Sequence, residues 1–384
     1  MPRHQSGFEY RFTFFLKCNR LLYYGNARHY LQKHFRYRSL ISIGIDCFAC
    51  KLQVQQSNWV MKVFITKAIP ELGIRMIENA GHEVTVYPPD LELTQEKLIE
   101  ACQKQDAVLL AAFGTIDRHF LEACKHLKVI ALYSVGYDSV DIKAATELKI
   151  PVGNTPGVLS RATADIAFLL MMAVSRKAFY NYQKILDGNW KAFEPVEDLG
   201  LELYGKTLGI FGLGKIGFEM ARLCQGAFNM KVIYHNRKSN EEYAGPLNAK
   251  YVSFDEMLAQ SDVLSLHANL SESTKGLMDR NAFSKMKPNA IFINTARGAM
   301  HNEHDLKEAL ENGVIWGAGL DVTNPEPMDK DNPLLRMPNV CVLPHIGSAT
   351  AETRNEMARL AANNIIAGLK GEHLPTIINS EVYE

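Results

Sequence analysis

The sequence predicts an α/β protein with two doubly wound parallel-sheet domains, and three observations support that fold class. From Met61 onward, short apolar runs alternate with amphipathic helical segments, which is the pattern of parallel strands joined by crossover helices. The alternation forms two series, separated by an apolar segment at residues 162–186 that we predict to be one long helix. The length of 384 residues is sufficient for two domains with substantial cores.

The first series predicts five strands and the second predicts seven. The first five have the sequences MKVFIT, HEVTVY, AVLLAA, KVIALYS and PVGNT, and the helical segments AIPELGIRMIENAG and TQEKLIEACQKQ lie between the first three. The second series begins at Lys206 and contains the strands TLGIFGL, KVIYHN, YVSF, DVLSLHA, AIFINT, WGAGLDV and VCVLPHI.

The last segment, residues 349–369, has a helical pattern and no strand of its own to cover in the second sheet. We therefore expect it to pack on the first domain, which makes that domain discontinuous. The prediction is a first domain at residues 61–160 and 346–384 and a second domain at residues 161–345. A small ligand is expected in the cleft between two such domains.

Residues 1–60 differ in composition from the rest of the chain. They carry nine Lys and Arg residues against two acids, Glu9 and Asp46, without a clear periodicity. We interpret them as a leader outside the pattern of strands and helices that begins at Met61. Three interpretations are open: a start codon upstream of the native one, a transit peptide or a functional extension. Cys47 and Cys50 form a single CxxC motif without a second pair, which is weak evidence for zinc or redox chemistry.

The charges of the chain are balanced, with 42 Lys plus Arg and 42 Asp plus Glu. No bulk charge therefore indicates nucleic acid or a membrane surface as a partner. No apolar run reaches the length of about eighteen residues that a spanning helix needs, and seven scattered cysteines suit a reducing compartment. We expect a cytoplasmic protein that binds small molecules and no metal.

The segment GIFGLGKIG contains the glycine pattern of a dinucleotide-binding turn. A predicted strand precedes Gly212, and a predicted helix follows Gly217, which is the context that this fingerprint requires. Gly212 permits the tight turn, Gly214 lets backbone amides approach a pyrophosphate, and Gly217 lets the helix pack on the strand. The helix N-terminus then faces the phosphates with free amide groups.

The next predicted strand ends at Asn236, Arg237 and Lys238, where an acidic residue usually binds the adenosine ribose. An acid at position 236 would repel a 2′-phosphate, whereas Asn236 does not, and Arg237 and Lys238 supply charged donors. The alternative is a solvated basic loop. We predict that NADP(H) is preferred and that NAD(H) is possible.

Three further segments contain candidate reactive side chains: INTARGA contains Arg297, GLDVTNPEP contains Asp321 and Glu326, and VLPHIGSAT contains His345. Together with VGYDSVD at 135–141 and NTPGVLSRATAD at 154–165, these segments resemble the D-isomer-specific 2-hydroxyacid dehydrogenase family, and within it most closely the glyoxylate/hydroxypyruvate reductases. The resemblance extends from about Met61 to the C-terminus.

The resemblance implies further features of the architecture and the site. It implies a Rossmann-type cofactor domain, a discontinuous flavodoxin-like substrate domain and a homodimer built on the cofactor domains. The family's catalytic arginine, glutamate and histidine correspond to Arg297, Glu326 and His345, and its carboxylate-binding backbone to Val135 and Gly136. Further cofactor contacts are predicted at Thr163, Lys215, Ile216, His267, Ala268, Thr295, Ala296 and, for the carboxamide, Asp321.

The side chains themselves suit the reduction of a 2-keto acid. Arg297 is a permanently charged fork that can hold the carboxylate and polarise the carbonyl. His345 is a proton donor near neutral pH, and a hydrogen bond from its ring to Glu326 would orient the ring and favour the protonated form. Taken one at a time, a surface salt bridge, a polar loop residue and a core histidine are the alternatives.

The pocket for the rest of the substrate is predicted at Phe113–Gly114 and at Ser348, beside His345. Trp190 and Phe193 are candidates for contacts from a dimer partner.

Two other residues depart from the family pattern. His301 replaces an apolar residue, and we expect a buried neutral imidazole with one hydrogen bond. Arg161 replaces an acidic or small residue.

The sequence therefore predicts an NADPH-preferring reductase of glyoxylate, hydroxypyruvate or a similar small 2-keto acid, giving the D-2-hydroxy acid; gluconate-type keto acids stay open. Two alternatives remain at this stage. One is an NAD-linked enzyme of the D-lactate or phosphoglycerate type, and the other is a nucleotide-sensing, corepressor-like binding protein on the same fold.

Overall fold

The computed structural model of the protein describes residues 60–112 and 114–384. The predicted leader, with its Cys47–Cys50 motif, and the pocket candidate Phe113 therefore lie outside the described residues. Two parallel sheets organise the described chain, one of five strands and one of seven. No helix within the described ranges combines the length and the apolarity needed to cross a membrane.

The first sheet has the strand order β2-β1-β3-β4-β5, and all of its pairings are parallel. Every residue of β3 and β4 is buried, as expected for inner strands that helices cover on both faces. The order reverses between β1 and β3, which is the flavodoxin-like doubly wound arrangement. Its strands are β1 (Lys62–Ile65), β2 (Glu83–Val86), β3 (Ala107–Leu110), β4 (Val129–Leu132) and β5 (Val152–Gly153).

The second sheet has the order β12-β11-β10-β9-β6-β7-β8 and is also parallel throughout. The order reverses between β9 and β6, so the loop that follows β6 lies at the topological switch point of a Rossmann-type sheet. Its strands are β6 (Thr207–Phe211), β7 (Lys231–His235), β8 (Lys250–Tyr251), β9 (Val263–Leu266), β10 (Ile291–Asn294), β11 (Gly317–Leu320) and β12 (Val340–Val342).

The helices of the described residues connect these strands and cover the sheets. Helices at the start of several crossovers have side-chain N-caps, for example Asp117, Asp141 and Asp279. The α-helices are α1 (Glu71–Asn79), α2 (Gln95–Cys102), α3 (Arg118–Ala123), α4 (Ile142–Glu147), α5 (Ser160–Ser175), α6 (Ala178–Leu186), α7 (Lys215–Phe228), α8 (Glu241–Leu247), α9 (Phe254–Gln260), α10 (Arg280–Ser284), α11 (Glu303–Glu311) and α12 (Ala351–Leu369).

The prediction of one long helix over residues 162–186 is wrong, because helix α5 ends at Ser175 and a separate helix, α6, begins at Ala178. Lys177 adopts a left-handed conformation with φ 51°, which a continuing helix cannot contain. The Leu201 amide donates to the Ser175 carbonyl at 2.8 Å, so a later segment of the chain provides the hydrogen bond at the C-terminal end of α5. A Cβ on Gly200 would lie 2.2 Å from that same carbonyl oxygen, so only glycine fits there.

The C-terminal helix α12 packs on the first sheet, although it follows the second sheet in sequence. It contacts α1, β3 and β4. The approach is close: a Cβ on Gly368 would lie 2.4 Å from the Val129 Cβ, and one on Gly73 would lie 3.0 Å from the Ala358 Cβ. Helix α5 packs on β10, β11 and β12 of the second sheet. The residue boundaries of the two domains stay a prediction.

Candidate active site

The glycine-rich loop after β6 uses each of its three glycines differently. Gly212 has φ 96°, and a Cβ there would lie 2.5 Å from the Ala268 amide nitrogen. A Cβ on Gly217 would lie 2.7 Å from the Gly212 carbonyl oxygen, so helix α7 can approach β6 only with glycine at this position. Nothing lies within 4 Å of the corresponding point on Gly214. The space in front of Gly214 is therefore free for a ligand.

Helix α7 begins at Lys215, directly after this loop, and its N-cap Gly214 provides no side-chain hydrogen bond. Helix amides without a cap need partners, and the helix dipole favours an anion there. The loop and the helix thus provide the donors that a pyrophosphate requires. Lys215 and Ile216, predicted as cofactor contacts, are the first two residues of this helix.

Asn236 holds the glycine-rich loop with both ends of its amide group. Its Oδ1 accepts from the Leu213 amide at 2.6 Å, and its Nδ2 donates to the Leu213 carbonyl at 3.1 Å. Asn240 donates to the same carbonyl at 3.0 Å. From the sequence, we predicted only that the neutral Asn236 does not repel a 2′-phosphate. Its support of the loop was not predicted.

Arg237 and Lys238, the next two residues, are exposed at the C-terminal end of β7. Neither forms an ion pair or a side-chain hydrogen bond with a residue that the structure describes. Their charges are thus available beside the loop.

His267 and Ala268 lie against the glycine-rich loop at the end of β9, because the Ala268 amide is the atom nearest to a Cβ on Gly212. The His267 ring is hydrogen-bonded through Nε2 to Ser265 Oγ at 2.8 Å. Burial lowers the pKa of His267 to about 3, so the ring is neutral near pH 7. This neutral ring suits the lining of a cofactor site better than proton transfer.

Asp321 follows β11 and is buried. Its two carboxylate oxygens accept from the Ile346 amide at 2.8 Å and from the Gly347 amide at 2.7 Å. Burial raises the pKa of Asp321, and these two backbone donors oppose the rise. The carboxylate therefore fixes the turn that follows His345, whereas the resemblance implied only a contact to the cofactor. Thr163 lies beside the same turn: a Cβ on Gly347 would be 3.3 Å from its Oγ1.

The turn after β10 presents Arg297, and Asn294 shapes that turn. Asn294 Oδ1 accepts from the Ala296 amide at 3.0 Å, and its Nδ2 donates to the Arg297 carbonyl at 2.8 Å. The same Nδ2 donates to His301 Nδ1 at 3.1 Å. Between them, Thr295 is buried, and its Oγ1 has no partner among the described residues. Asn294 thus fixes the backbone of the turn that carries Arg297, and this was not predicted from the sequence, although Asn294 ends a buried strand three residues before the arginine.

His301 is confirmed as a buried neutral histidine with one hydrogen bond. Its exposed fraction is 2%, and burial lowers its pKa to about 4. Since Nδ1 accepts from Asn294, Nε2 carries the proton, and this Nε2 has no partner among the described residues. The other departure, Arg161, is 82% exposed and faces Glu219 at 3.8 Å.

The Arg297 guanidinium lies on the backbone of Gly136, which follows β4 in the first sheet. A Cβ on Gly136 would be 1.7 Å from Arg297 Nη2, so the arginine requires glycine at this position. The amides of Val135 and Gly136 donate to no described residue, whereas both carbonyls are bonded, to Asn154 Nδ2 and to Ser134 Oγ. Two free amides and a guanidinium in one place can bind a carboxylate.

His345 and Glu326 form a hydrogen-bonded pair, with 2.6 Å between His345 Nδ1 and Glu326 Oε1. The hydrogen bond with His345 is the main cause that lowers the pKa of Glu326, and the charge of Arg297 adds to it. His345 has φ 54°, an unusual conformation for histidine that Asp321 supports through the next two amides. The structure thus brings Arg297, Glu326 and His345 into one electrostatically coupled group.

The remaining pocket candidates are Ser348, Gly114, Trp190 and Phe193. Ser348 is half-buried in the turn after His345. Gly114 lines a cavity of about 420 Å³ at the carboxyl ends of β1, β2 and β3, together with Thr66, Lys67 and Tyr87. Trp190 and Phe193 are 68% and 87% exposed in the single chain, so their side chains are not packed into a pocket of it.

A Rossmann-type sheet with an open glycine loop, next to an arginine and a histidine–glutamate pair, defines the class of nicotinamide-dependent oxidoreductases. Residues 168–347 match the family model of the D-isomer-specific 2-hydroxyacid dehydrogenase NAD-binding domain.

The comparisons extend this match beyond the nucleotide site. A glyoxylate reductase from Thermococcus litoralis is 43% identical over 325 residues, which are 84% of this chain and 97% of the relative. The crystal structure of a glyoxylate reductase from Paecilomyes thermophila superposes with a TM-score of 0.74 at 37% identity, covering 83% of this chain and 98% of that one.

A third relative has a bound cofactor. The structure of an NADPH-dependent glyoxylate/hydroxypyruvate reductase from Sinorhizobium meliloti, in complex with NADP and malonate, has a TM-score of 0.72 at 30% identity and covers 84% of this chain and 97% of that one. The chain belongs to the D-isomer-specific 2-hydroxyacid dehydrogenase family, and it is an NAD(P)-dependent oxidoreductase.

Proposed function

We propose that the protein reduces glyoxylate, hydroxypyruvate or a similar small 2-keto acid to the D-2-hydroxy acid with NADPH. The observation on which this rests is the position of Arg297: its guanidinium lies on Gly136, beside the free amides of Val135 and Gly136, and its charge acts on the His345–Glu326 pair by lowering the pKa of Glu326. A keto acid needs a carboxylate site, a polarised carbonyl and a proton donor, and these groups are suited to provide all three. Curated relatives at about 40% identity are named glyoxylate reductases, which supports a small substrate.

Each of these residues has a separate role in the proposed reduction. The Val135 and Gly136 amides bind the substrate carboxylate, and Arg297 holds the carboxylate and the keto oxygen and draws electron density from the carbonyl. A bound nicotinamide supplies the hydride. His345 Nε2 gives a proton to the developing alkoxide, since Nδ1 is engaged by Glu326 at 2.6 Å. The negative charge of Glu326 stabilises the protonated ring before transfer.

The preference for NADPH rests on the end of β7. Asn236 is neutral and faces the glycine loop, so no carboxylate at this position repels a 2′-phosphate. Arg237 and Lys238 are exposed and free to pair with that phosphate. The bound NADP in the Sinorhizobium meliloti structure supports the same preference.

We also propose that the enzyme is a homodimer. Large apolar side chains are exposed along α6 and the segment that follows it, including Tyr182, Leu186, Trp190 and Phe193. The family resemblance implies a dimer built on the cofactor domains, and α6 directly follows α5, which packs on the second sheet. A concentration of exposed apolar groups on one segment is characteristic of a protein interface.

The catalytic assignment is tested with two substitutions. Arg297→Ala removes carboxylate binding and carbonyl polarisation, so kcat/KM for glyoxylate should fall by about a hundredfold or more, or at least ~3 kcal/mol. His345→Ala should lower kcat strongly while the NADPH Kd, from a fluorescence titration, changes little.

Two exposed residues provide matched controls, Arg222→Ala and His304→Ala, because their side chains are 54% and 71% exposed and face Glu219 and Asp305, which are not candidate site residues. Both should retain the activity of the unmodified enzyme. Full activity of Arg297→Ala or His345→Ala with a panel of keto acids would show that the assignment is wrong.

A further inference from the structure

The guanidinium of Arg297 is already paired within the protein. Its Nε donates to Asp138 Oδ1 and Oδ2 at 3.1 and 3.2 Å, and its Nη2 lies 3.1 Å from Asp138 Oδ1. Asp138 belongs to the loop after β4 of the first sheet, whereas Arg297 follows β10 of the second. The contact is therefore a side-on ion pair between residues 159 positions apart in sequence.

The contacts of Arg297 leave a defined set of donors. A guanidinium has five N–H groups in a rigid plane. The edge made by Nε and Nη2 faces Asp138, and one Nη1 hydrogen is taken by the Ala296 carbonyl at 2.8 Å. The outer edge, with one hydrogen each on Nη1 and Nη2, remains for another acceptor. This edge is a two-donor fork that matches a carboxylate oxygen and a keto oxygen side by side.

We propose that Asp138 is a positioning residue for the reaction: it holds Arg297 side-on, so that only the outer edge of the guanidinium is presented to the 2-keto acid. This inference rests on the proposed function. Asp138 acts through Arg297 and touches no substrate atom itself, and its role was not predicted from the sequence.

Packing around the arginine explains why such a support is needed. The guanidinium lies on Gly136, where a Cβ would come within 1.7 Å of Nη2 and 2.9 Å of Asp138 Oδ1. Gly136 leaves room for the guanidinium but forms no hydrogen bond with it that would fix its orientation. Arginine has a large rotamer entropy, which substrate binding would have to remove if Asp138 did not. A side-on carboxylate fixes the plane in advance.

The competing interpretation is an ion pair that only joins the two domains. Such a pair would affect stability and would leave catalysis by a correctly folded enzyme unchanged. Positioning, in contrast, affects the binding of a carboxylate and the rate together, and it does so only while an arginine is present at position 297. The two interpretations therefore differ in a measurable coupling.

The first experiment compares Asp138→Ala with Asp138→Asn in the full-length enzyme. The alanine variant should lose roughly ten- to a hundredfold in kcat/KM for glyoxylate, with kcat lowered and KM raised, because a charged hydrogen-bond partner is lost. The asparagine variant keeps one acceptor for Nε and should lose less than the alanine variant. The Kd for NADPH should stay within about twofold in both.

Asp141→Asn is the matched control. Asp141 lies three residues further along the same loop, where its side chain caps α4 by accepting from the Ala144 amide, and asparagine caps helices equally well. This variant removes the same charge without touching Arg297, and its kinetic constants should equal those of the unmodified enzyme.

The second experiment is a double-substitution cycle on the affinity for oxalate, an unreactive dicarboxylate, titrated into the NADP-loaded enzyme. In the unmodified background, Asp138→Ala should weaken oxalate binding by about tenfold; in the Arg297→Lys background, it should weaken it by less than about threefold, because lysine has no second edge to hold. The cycle does not depend on turnover by the lysine variant.

The outcomes separate this inference from the proposed function. Unchanged kinetics in Asp138→Ala, or an equal loss of oxalate affinity in both backgrounds, would overturn the positioning role while leaving the reaction assignment intact. An unmodified enzyme that reduces no 2-keto acid would overturn the proposed function, and the role of Asp138 with it.

Discussion

At the scale of single residues, two histidines of the second domain are kept neutral by burial. Burial lowers the pKa of His301 to about 4 and that of His267 to about 3, and each ring has one nitrogen without a partner among the described residues. The unfolded chain binds a proton at each of these rings near pH 6.5, and the folded chain does not. Their contribution to stability is thus complete above pH 6.5 and is lost as the pH falls toward the folded pKa.

We therefore predict that acid destabilises the enzyme partly through His301. At about pH 5 the difference in proton uptake at this ring is worth roughly 2 kcal/mol of unfolding free energy. In the His301→Leu variant, the loss of unfolding free energy between about pH 8 and pH 5, measured with urea, should be smaller by that amount.

His304→Leu is the control for this measurement, because it makes the same substitution at a ring that is 71% exposed. It should leave the loss between the two pH values close to that of the unmodified enzyme. An unchanged loss in His301→Leu would mean that the buried ring is already protonated in the folded enzyme.

At the scale of elements, the loop after β6 and the end of β7 form one unit. Asn236 and Asn240 together make three hydrogen bonds to the backbone of Leu213, which lies between the first two glycines of the fingerprint. The neutral residue at position 236 therefore supports the shape of the loop, besides the electrostatic role that we propose for it in cofactor preference. A carboxylate there could keep the bond from the Leu213 amide but not the bond to its carbonyl.

This unit predicts how the cofactor preference can be reversed. In the unmodified enzyme, kcat/KM with NADPH should exceed that with NADH by roughly ten- to a hundredfold, the value of an exposed charge-assisted contact of about 1.5–3 kcal/mol. Asn236→Asp combined with Arg237→Ala should favour NADH, because it restores a ribose acceptor and removes the phosphate partner. Asn240 still holds the Leu213 carbonyl in this variant.

Lys231→Ala is the matched control, since it removes an exposed positive charge from the opposite end of the same strand. Both cofactors should be measured at one fixed ionic strength. A preference for NADH in the unmodified enzyme would mean that Arg237 and Lys238 are a solvated basic loop.

The elements also show what could be predicted from the sequence. Eleven of the twelve predicted strands are found where they were expected, because most of them are short apolar runs with recognisable ends. The twelfth, YVSF, overlaps β8 only at Tyr251, and both residues of β8 are exposed. The break at Lys177 was not predicted, since it depends on the docking of Leu201 on Ser175. The pairing of Arg297 with Asp138 was not predicted either, because no local pattern connects residues so distant in sequence. The sequence therefore indicated most strands, the candidate site residues and the packing of the last helix on the first domain, but not these two contacts between single residues.

At the scale of the whole molecule, the exposed apolar side chains of α6 and its following segment predict the oligomeric state. Light scattering should give twice the chain mass of 43.1 kDa. Replacing Leu186 and Phe193, which are 62% and 87% exposed, by aspartate should produce monomers, because charged groups cannot be buried without partners.

Leu91→Asp is the control, as it makes the same change at an apolar residue of the first domain that is 58% exposed. It should leave the mass unchanged. A monomeric unmodified enzyme, or a dimer that persists in the aspartate variant, would show that this segment is not the interface.

The position of helix α12 has a consequence for the synthesis of the protein. A nascent chain leaves the ribosome from its N-terminus, and domains usually complete their folding in that order. Here β3 and β4 emerge early, but helix α12, which packs on them, is made only with residues 351–369. Strands β6–β12, and the helix α5 that packs on β10, β11 and β12, are finished before that. The domain that is translated first is therefore the one that is completed last. Until helix α12 has been synthesised, an apolar face of the first sheet stays exposed in the nascent chain and is prone to aggregation.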